Sequence, residues 1–212
     1  MSTESAILGF RRILAIGAHP DDIELGCLGL LLREGPEVEK HIYVGCTGSA
    51  ADSSTGMHRI NESKTAYAFA KPASMTFRAK AGITAGDFRE VMHELERLMT
   101  QIQPDLILCL GPHDTHQEHR CIHEIALASA RRLRASFLNY GIPSNTPEFH
   151  PTLFVDISSV FDVKKQALAS HTSQKQKCYM TDEYLEVFHS DRYASLHGIR
   201  YAESYEIVRL FV

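Results

Sequence analysis

The hydrophobic positions of this 212-residue chain fall into two patterns. Short continuous apolar runs such as 13–18 and 105–110 are typical of strands buried on both faces of a parallel sheet. Longer stretches between them, such as 23–33, carry leucines at helical spacing. The patterns predict strands at 13–18, 38–46, 74–78, 105–110, 153–157 and 205–212, the last as an edge or closing strand, and helices at 23–33, 57–70, 85–101, from GPHDTHQEH to about 138, and at 160–170.

Alternation of strands and helices of this size predicts an α/β fold, a Rossmann-like three-layer sandwich whose mostly parallel sheet is covered by helices on both faces. With 44% hydrophobic residues, the chain has enough apolar material for one generous core. We therefore expect residues 1–212 to form a single domain.

Charge and targeting signals narrow the classes of partner. The formal net charge is −4 and no basic block occurs, which argues against nucleic acid and anionic membrane surfaces as partners. The five cysteines form no CxxC pair, and no run of about 18 apolar residues suggests a membrane span or anchor. We expect a cytoplasmic protein that acts on small molecules, and a homo-oligomer would be ordinary for this class.

Two polar clusters each follow a predicted buried strand and precede a helix. The first is HPDD at 19–22, and the second lies at 113–119 in GPHDTHQEH. Loops that leave the carboxyl ends of strands in an open α/β sheet converge on one crevice, where ligands bind. The two clusters are therefore expected to meet in space.

Each cluster alone has a simpler structural interpretation. HPDD is an ordinary helix start, because carboxylates complement the positive end of the helix dipole. In the second cluster, three histidines would be solvated loop residues with Asp114 and Glu118 as local hydrogen-bond partners. Only the conjunction of the two clusters favours a functional site.

Together the clusters contain the ligand types of catalytic zinc. Such a site takes three ligands from His and Asp or Glu and leaves one position open for water. His19, Asp22 and one later histidine would supply that set. Asp21 must then project differently from Asp22, so it can accept a proton from the metal-bound water as general base.

The stretches AHPDDIELG and PHDTHQEHR resemble the PIG-L/LmbE-like family of zinc-dependent N-acetylglucosaminyl deacetylases. The resemblance implies that His19, Asp22 and His119 bind the metal and that Asp21 is the base. It also implies that His116 donates a hydrogen bond to the oxyanion or a proton to the leaving amine. His113 and Asp114 would orient His116, and only the resemblance separates the ligand His119 from His123, which shares its helix face.

Weaker similarities extend to two further segments. HRINES resembles an R-x-x-E segment of the family and implies substrate-binding roles for Arg59 and Glu62, although an exposed ion pair would explain the same spacing. HTSQ resembles a segment of bacterial members and implies that His171 approaches the pocket, although capping and a solvated surface would also explain it. Glu118 stands where many members have Asp, and Leu28 replaces a small residue; neither departure is expected to touch a ligand.

The sequence thus predicts a metal-dependent amide hydrolase that removes the acetyl group of an N-acetylglucosamine-type sugar or conjugate. Zinc is the expected cofactor, with ferrous iron as the alternative in the cell. The loops 47–58 and 139–151 are expected to select the acetylated sugar. Two alternatives remain: a non-catalytic metal-dependent glycan-binding module, and a nucleotide-binding domain, which is disfavoured because carboxylates at the first helix start would repel a pyrophosphate.

Overall fold

The computed structural model describes residues 9–48 and 53–211, the side chains of residues 53 and 54 excepted. A seven-stranded sheet has the order β3-β2-β1-β4-β5-β7-β6, in which β1 to β5 are parallel and β7 is antiparallel to both its neighbours. The mostly parallel α/β sheet is therefore confirmed. The strands are β1 (Arg12–Gly17), β2 (Glu39–Val44), β3 (Ser74–Phe77), β4 (Leu106–Cys109), β5 (Ser136–Tyr140), β6 (Leu153–Asp156) and β7 (Ala202–Arg209).

The helices form two layers. One layer contains α4 against α5, and the other contains α1, α2 and α3 packed around α6. None of the helices among the described residues has the length and apolar character needed to cross a membrane. The helices are α1 (Asp22–Gly26), α2 (Leu28–Arg33), α3 (Ser53–Tyr67), α4 (Phe88–Ile102), α5 (Gln117–Ser129), α6 (Phe161–Leu168), α7 (Asp182–Phe188) and α8 (Arg192–Leu196).

The chain reverses its direction of travel across the sheet at β1. From β1 it proceeds outward through β2 and β3, then returns so that β4 pairs with the other edge of β1, with Ile16 opposite Cys109. The carboxyl ends of β1 and β4 therefore lie side by side. This is the switch point at which open α/β sheets bind ligands.

The helix predicted to continue to about residue 138 is wrong. Helix α5 ends at Ser129, and residues 136–140 form the buried strand β5 beside β4. Arg209, on the distant strand β7, donates hydrogen bonds to the carbonyls of Ala130 and Ala135 on either side of the connecting turn. A contact with Arg209, almost 80 positions away in sequence, therefore stabilises the turn at which the helix ends.

The carboxyl-terminal strand also differs from its prediction. It begins at Ala202 rather than at 205 and lies between β5 and β6, so β6 forms the edge. Helices α7 and α8 lie in a region for which the hydrophobic pattern predicted no element.

The helix predicted at 23–33 is broken into α1 and α2 at Cys27. Two buried charged residues hold the break. Glu203 accepts hydrogen bonds from the backbone nitrogens of Gly29 and Leu30 at 2.6 and 2.8 Å, and Lys164 donates to the carbonyl of Leu25 at 2.7 Å. These contacts satisfy the backbone groups that an unbroken helix would have paired internally.

Candidate active site

The two polar clusters meet at the switch point, as predicted. His19 lies in the loop after β1, and His119 lies in the first turn of α5, which follows β4. The His19 Nδ1 and His119 Nε2 atoms are 3.2 Å apart, although 100 residues separate them in sequence. Both side chains are buried.

The two adjacent aspartates point in different directions, because the backbone turns sharply between them. Asp21 has φ 127°, a value that non-glycine residues rarely adopt. Asp22 starts α1, and its Oδ2 atom accepts hydrogen bonds from the backbone nitrogens of Ala18 and His19 at 2.9 and 2.8 Å. The Asp22 carboxylate is thereby fixed over the loop that carries His19.

His19, Asp22 and His119 form a compact donor set that fits a divalent metal ion. Asp22 Oδ2 lies 3.5 Å from His19 Nδ1, and Asp22 Oδ1 lies 3.4 Å from His119 Nε2. A tetrahedral ion with bonds of about 2.0–2.2 Å holds its ligand atoms roughly 3.3–3.6 Å apart. The separations in the structure are close to that requirement, with a different Asp22 oxygen facing each ring, 3.2 Å between the two ring nitrogens and all three side chains buried.

Two carboxylates fix the orientation of the histidine rings. Asp114 Oδ2 lies 2.9 Å from His119 Nδ1, so it orients His119, whereas it contacts His116 only at the backbone nitrogen. The expectation that Asp114 orients His116 is therefore met at the backbone only, and the ring that Asp114 orients is that of His119. Glu118 Oε2 lies 2.6 Å from His19 Nε2, so the departure at Glu118 does touch a presumed ligand, contrary to prediction. The Glu118 side chain, one methylene longer than that of Asp, reaches the His19 ring.

The charges of the cluster favour a cation. Burial lowers the pKa of His119, but Asp22 and Asp114 outweigh it and raise that pKa to about 9. Burial raises the pKa of Asp22, yet the two histidines hold it well below its usual range. Without another cation, protons on the imidazoles compensate the carboxylates. A divalent ion would supply the same positive charge.

Asp21 is buried beside this donor set and is held by Arg59. The Arg59 guanidinium lies 3.3 Å from Asp21 Oδ1 and donates to the carbonyls of Pro20 and Thr47 at 2.9 Å. Burial and the Asp22 charge raise the pKa of Asp21 to about 7, against the opposing effect of Arg59. A carboxyl group in this range can exchange protons near neutral pH.

His116 caps the start of α5 and stands beside the donor set. Its Nδ1 atom accepts a hydrogen bond from the backbone nitrogen of Glu118 at 3.3 Å. A neutral imidazole that accepts at Nδ1 carries its proton on Nε2. Burial and the neighbouring His119 lower the pKa of His116, which favours that neutral form.

These residues line a cavity of about 620 Å³. The loops predicted to select substrate both contribute, Gly48 and Thr55 from the first and Ile142 to Ser144 from the second. A further wall comes from residues 173–184, of which the sequence indicated only the HTSQ part. The lining residues are His19, Asp21, Asp22, Leu25, Gly48, Thr55, Arg59, His116, His119, Ile142, Pro143, Ser144, Ser173, Gln174, Lys177, Cys178, Tyr179 and Tyr184.

Comparison with known families agrees with the two motifs. Residues 14–130, more than half of the chain, match the PIG-L family, which is described as GlcNAc-PI de-N-acetylase. The chain belongs to the PIG-L family.

Two PIG-L relatives found by sequence are named as deacetylases. The chain is 29% identical over 174 residues to the uncharacterized deacetylase YaiS of Escherichia coli K12, with 76% of this chain and 90% of that protein covered. It is 24% identical over 223 residues to diacetylchitobiose deacetylase of Thermococcus kodakarensis, with 93% and 83% covered.

Solved structures share the PIG-L fold at low identity. N,N'-diacetylchitobiose deacetylase of Pyrococcus horikoshii superposes with a TM-score of 0.78 at 19% identity, over 98% of this chain and 87% of that one. GalB of Pseudomonas putida KT2440, a 4-carboxy-2-hydroxymuconate hydratase, gives 0.79 at 17% identity, over 95% and 98%. Since a deacetylase and a hydratase share the fold, the activity must be argued from the site.

Glu62, which the PIG-L resemblance linked to substrate, does not line the cavity, whereas Arg59 does. Glu62 accepts hydrogen bonds from Thr172 Oγ1 at 2.6 Å and Ser173 Oγ at 2.6 Å, and so anchors the cavity wall. Arg59 and Glu62 are both buried, and the exposed ion pair between them does not form. Glu62 instead pairs with His58 at 3.0 Å.

His171 lies behind the PIG-L motif rather than in the cavity. Its Nε2 atom is 3.0 Å from Glu24, and Glu24 also accepts hydrogen bonds from the hydroxyls of Tyr67 and Ser63. All of these groups are buried. The alternative ligand His123 is directed elsewhere too, with its Nδ1 atom 2.8 Å from the carbonyl of Leu110.

Proposed function

We propose that this protein is a metal-dependent N-deacetylase that releases acetate from an N-acetylglucosamine-type sugar or conjugate. The observation that carries the proposal is the buried convergence of His19, Asp22 and His119 beside Asp21, at the floor of a cavity large enough for a sugar. The deacetylase names of the relatives support the choice of reaction.

The metal would be held by His19, Asp22 and His119. Zinc suits this set of two imidazoles and a carboxylate, and ferrous iron is the alternative. When bound, the ion would polarise the amide carbonyl and lower the pKa of a water molecule to about 7. Asp114 and Glu118, through their contacts with the two rings, would keep the metal-binding nitrogens directed inward.

Asp21 would act as the general base. It removes a proton from the attacking water while the water oxygen bonds to the carbonyl carbon. Arg59 holds the carboxylate in position, and because the turn at φ 127° gives it a direction different from that of Asp22, it would remain available to the water and would not be a ligand of the ion. The C–N bond then breaks as its nitrogen takes up a proton from Asp21 or His116, and acetate and a free amine are released.

His116 would stabilise the tetrahedral oxyanion. Its Nε2–H group is free to donate into the cavity, since Nδ1 is occupied by the α5 backbone. A donor of this kind contributes about 2.7–4 kcal/mol to lowering the barrier. The same proton can pass to the leaving amine.

The decisive experiment measures acetate release from N-acetylglucosamine and diacetylchitobiose by the zinc-loaded protein, with and without a chelator. Asp21→Asn should abolish turnover while the bound zinc stays at the wild-type level. His116→Ala should slow the reaction about 100-fold or more. His93→Ala, at an exposed histidine on α4 that does not line the cavity, is the control and should keep the wild-type rate.

Two results would contradict this proposal. Loss of zinc from Asp21→Asn would show that Asp21 is a ligand and not the base. A fully zinc-loaded protein that binds acetylated sugars but releases no acetate would favour the glycan-binding module.

A further inference from the structure

We propose that a second, thiophilic metal ion binds on the opposite edge of the His19 ring, to His19 Nε2, Cys46 Sγ and the Glu118 carboxylate. Ligand atoms of these three side chains lie within 4.8 Å of one another. Among the described residues, the other such group of His, Cys, Asp or Glu is His19 with His116 and His119, which belongs to the candidate active site.

The two nitrogens of the His19 ring face different partners. Nδ1 is directed towards His119, and Nε2 lies 2.6 Å from Glu118 Oε2. A metal ion on the Nε2 edge would take the place of the proton that His19 and Glu118 now share. Zinc needs ligand atoms about 3.4–3.7 Å apart, so the three groups must shift by about an ångström.

Cys46 supplies the soft ligand. It lies two residues after the end of β2, and its backbone nitrogen and its Sγ atom both donate hydrogen bonds to the carbonyl of Ala18, at 2.7 and 3.2 Å. The thiol is thus held against the loop that carries His19, while the residue is only 1% exposed. Thiolate with imidazole and carboxylate selects zinc, cadmium or cuprous ions over magnesium and calcium.

The route from the cavity to this edge of the ring passes Arg59. Gly48 lines the cavity, and a Cβ atom at that position would meet Arg59 Nη1 first and would lie 2.8 Å from His19 Cδ2, next to Nε2. The Arg59 guanidinium therefore covers this edge, and its side chain must move to admit an ion. The Glu118 side chain is 16% exposed, and its Oε1 atom accepts a hydrogen bond from the Ile83 backbone nitrogen at 3.0 Å, so Oε2 is the oxygen that would bind the ion.

The second ion would inhibit the enzyme at high zinc concentration. Because both ions share His19, the second one withdraws electron density from the nitrogen that binds the first. Zinc beyond one equivalent should therefore slow turnover. This consequence rests on the proposed function, whereas binding at Cys46 does not.

Cobalt titration tests the site by absorption. Addition of Co²⁺ beyond one equivalent to the zinc-loaded protein should produce the near-ultraviolet band of a cobalt–thiolate bond. Cys46→Ser should lose the band and keep its first zinc, and the exposed Cys178→Ser should keep both. Loss of the Cys46 ligand should lower the affinity of the second site for Co²⁺ by more than the roughly 10–100-fold that loss of an outer hydrogen-bond partner costs.

Glu118→Gln provides a second variant in case Cys46→Ser fails to fold, and it should weaken the cobalt band without removing the thiol. A wild-type protein that binds one ion only, or a band that persists in Cys46→Ser, would overturn the proposal. The result is independent of catalysis. Absence of acetate release would refute the deacetylase and leave the cobalt result standing.

Discussion

Replacement of Asp114 by asparagine tests how the proposed metal site is held. The Asp114 carboxylate accepts hydrogen bonds from the His116 backbone nitrogen at 2.7 Å, His119 Nδ1 at 2.9 Å and the Ser144 hydroxyl at 2.9 Å. Asparagine keeps the size but converts one oxygen into a donor and removes the charge. In either orientation of the amide, its NH₂ group faces a donor, which is the His116 backbone N–H on one side or the His119 Nδ1–H on the other.

The magnitude follows from the environment of that carboxylate. Loss of an outer partner of a metal-binding histidine costs about 10–100-fold in metal affinity, which is roughly 1.4–2.7 kcal/mol. The Asp114 side chain is fully buried, so solvent does not screen its contact with His119. We therefore expect the upper half of that range, a rise of about 30–100-fold in the dissociation constant for zinc.

A zinc titration in competition with a chromophoric chelator would measure this change, with far-ultraviolet circular dichroism as the check on folding. Ser144→Ala is the matched control, because it removes one neutral hydrogen bond to the same carboxylate and leaves the charge in place. It should weaken zinc binding only a few-fold. A folded Asp114→Asn protein that binds zinc as tightly as the wild type would refute the reasoning.

Three further predictions concern stability, substrate affinity and pH. Lys164→Met leaves Glu203 buried without its cation and should lower the free energy of unfolding by about 3–5 kcal/mol in urea denaturation, with partial recovery in Lys164→Met/Glu203→Gln. Glu62→Gln loosens the wall at Ser173 and should raise KM more than it lowers kcat, whereas the same change at exposed Glu90 should alter neither. Burial raises the pKa of Asp114, but His119 outweighs it and the net shift is downward, so in metal-free protein its stabilisation is complete above about pH 4 and is lost below. Asp114→Asn should therefore flatten the decline in stability at acid pH.

The positions of the proposed metal ligands could be predicted because their information is local. A continuous apolar run at 13–18 predicts a buried parallel strand, and HPDD follows it at once. The same holds for 105–110 and the second cluster. The sheet topology then brings the two loops together without further information, since both leave carboxyl ends at the switch point.

The outer contacts of the site were harder to predict because side-chain reach decides them. Asp114 lies two residues before His116, and Glu118 lies directly before His119. The family resemblance implied His116 as the partner of Asp114, whereas the α5 turn presents the His119 ring to it. Glu118 crosses from α5 to His19 through the length of its side chain, which a pattern of residue types does not encode.

The break between α1 and α2 shows what a hydrophobic pattern cannot contain. The leucines of 23–33 keep helical spacing straight through the break. The cause lies in Lys164 and Glu203, which are distant in sequence and reach Leu25, Gly29 and Leu30 from α6 and β7. Tertiary hydrogen bonds therefore override the local preference for one longer helix.

The contacts around the same break explain how the strained turn at Asp21 can persist. Helix α1 has five residues, too few to be stable alone, yet it fixes the Asp21–Asp22 turn at φ 127°. A conformation of this kind costs of order 1–3 kcal/mol and survives only where its surroundings determine it. Glu24, inside α1, is bonded to His171 and Tyr67, and Lys164 holds the carbonyl of the next residue. The HTSQ segment thus supports the site through α1, the helix that follows the Asp21 turn. We therefore expect His171→Ala to lower kcat, because the Asp21 turn loses support, and to change KM less.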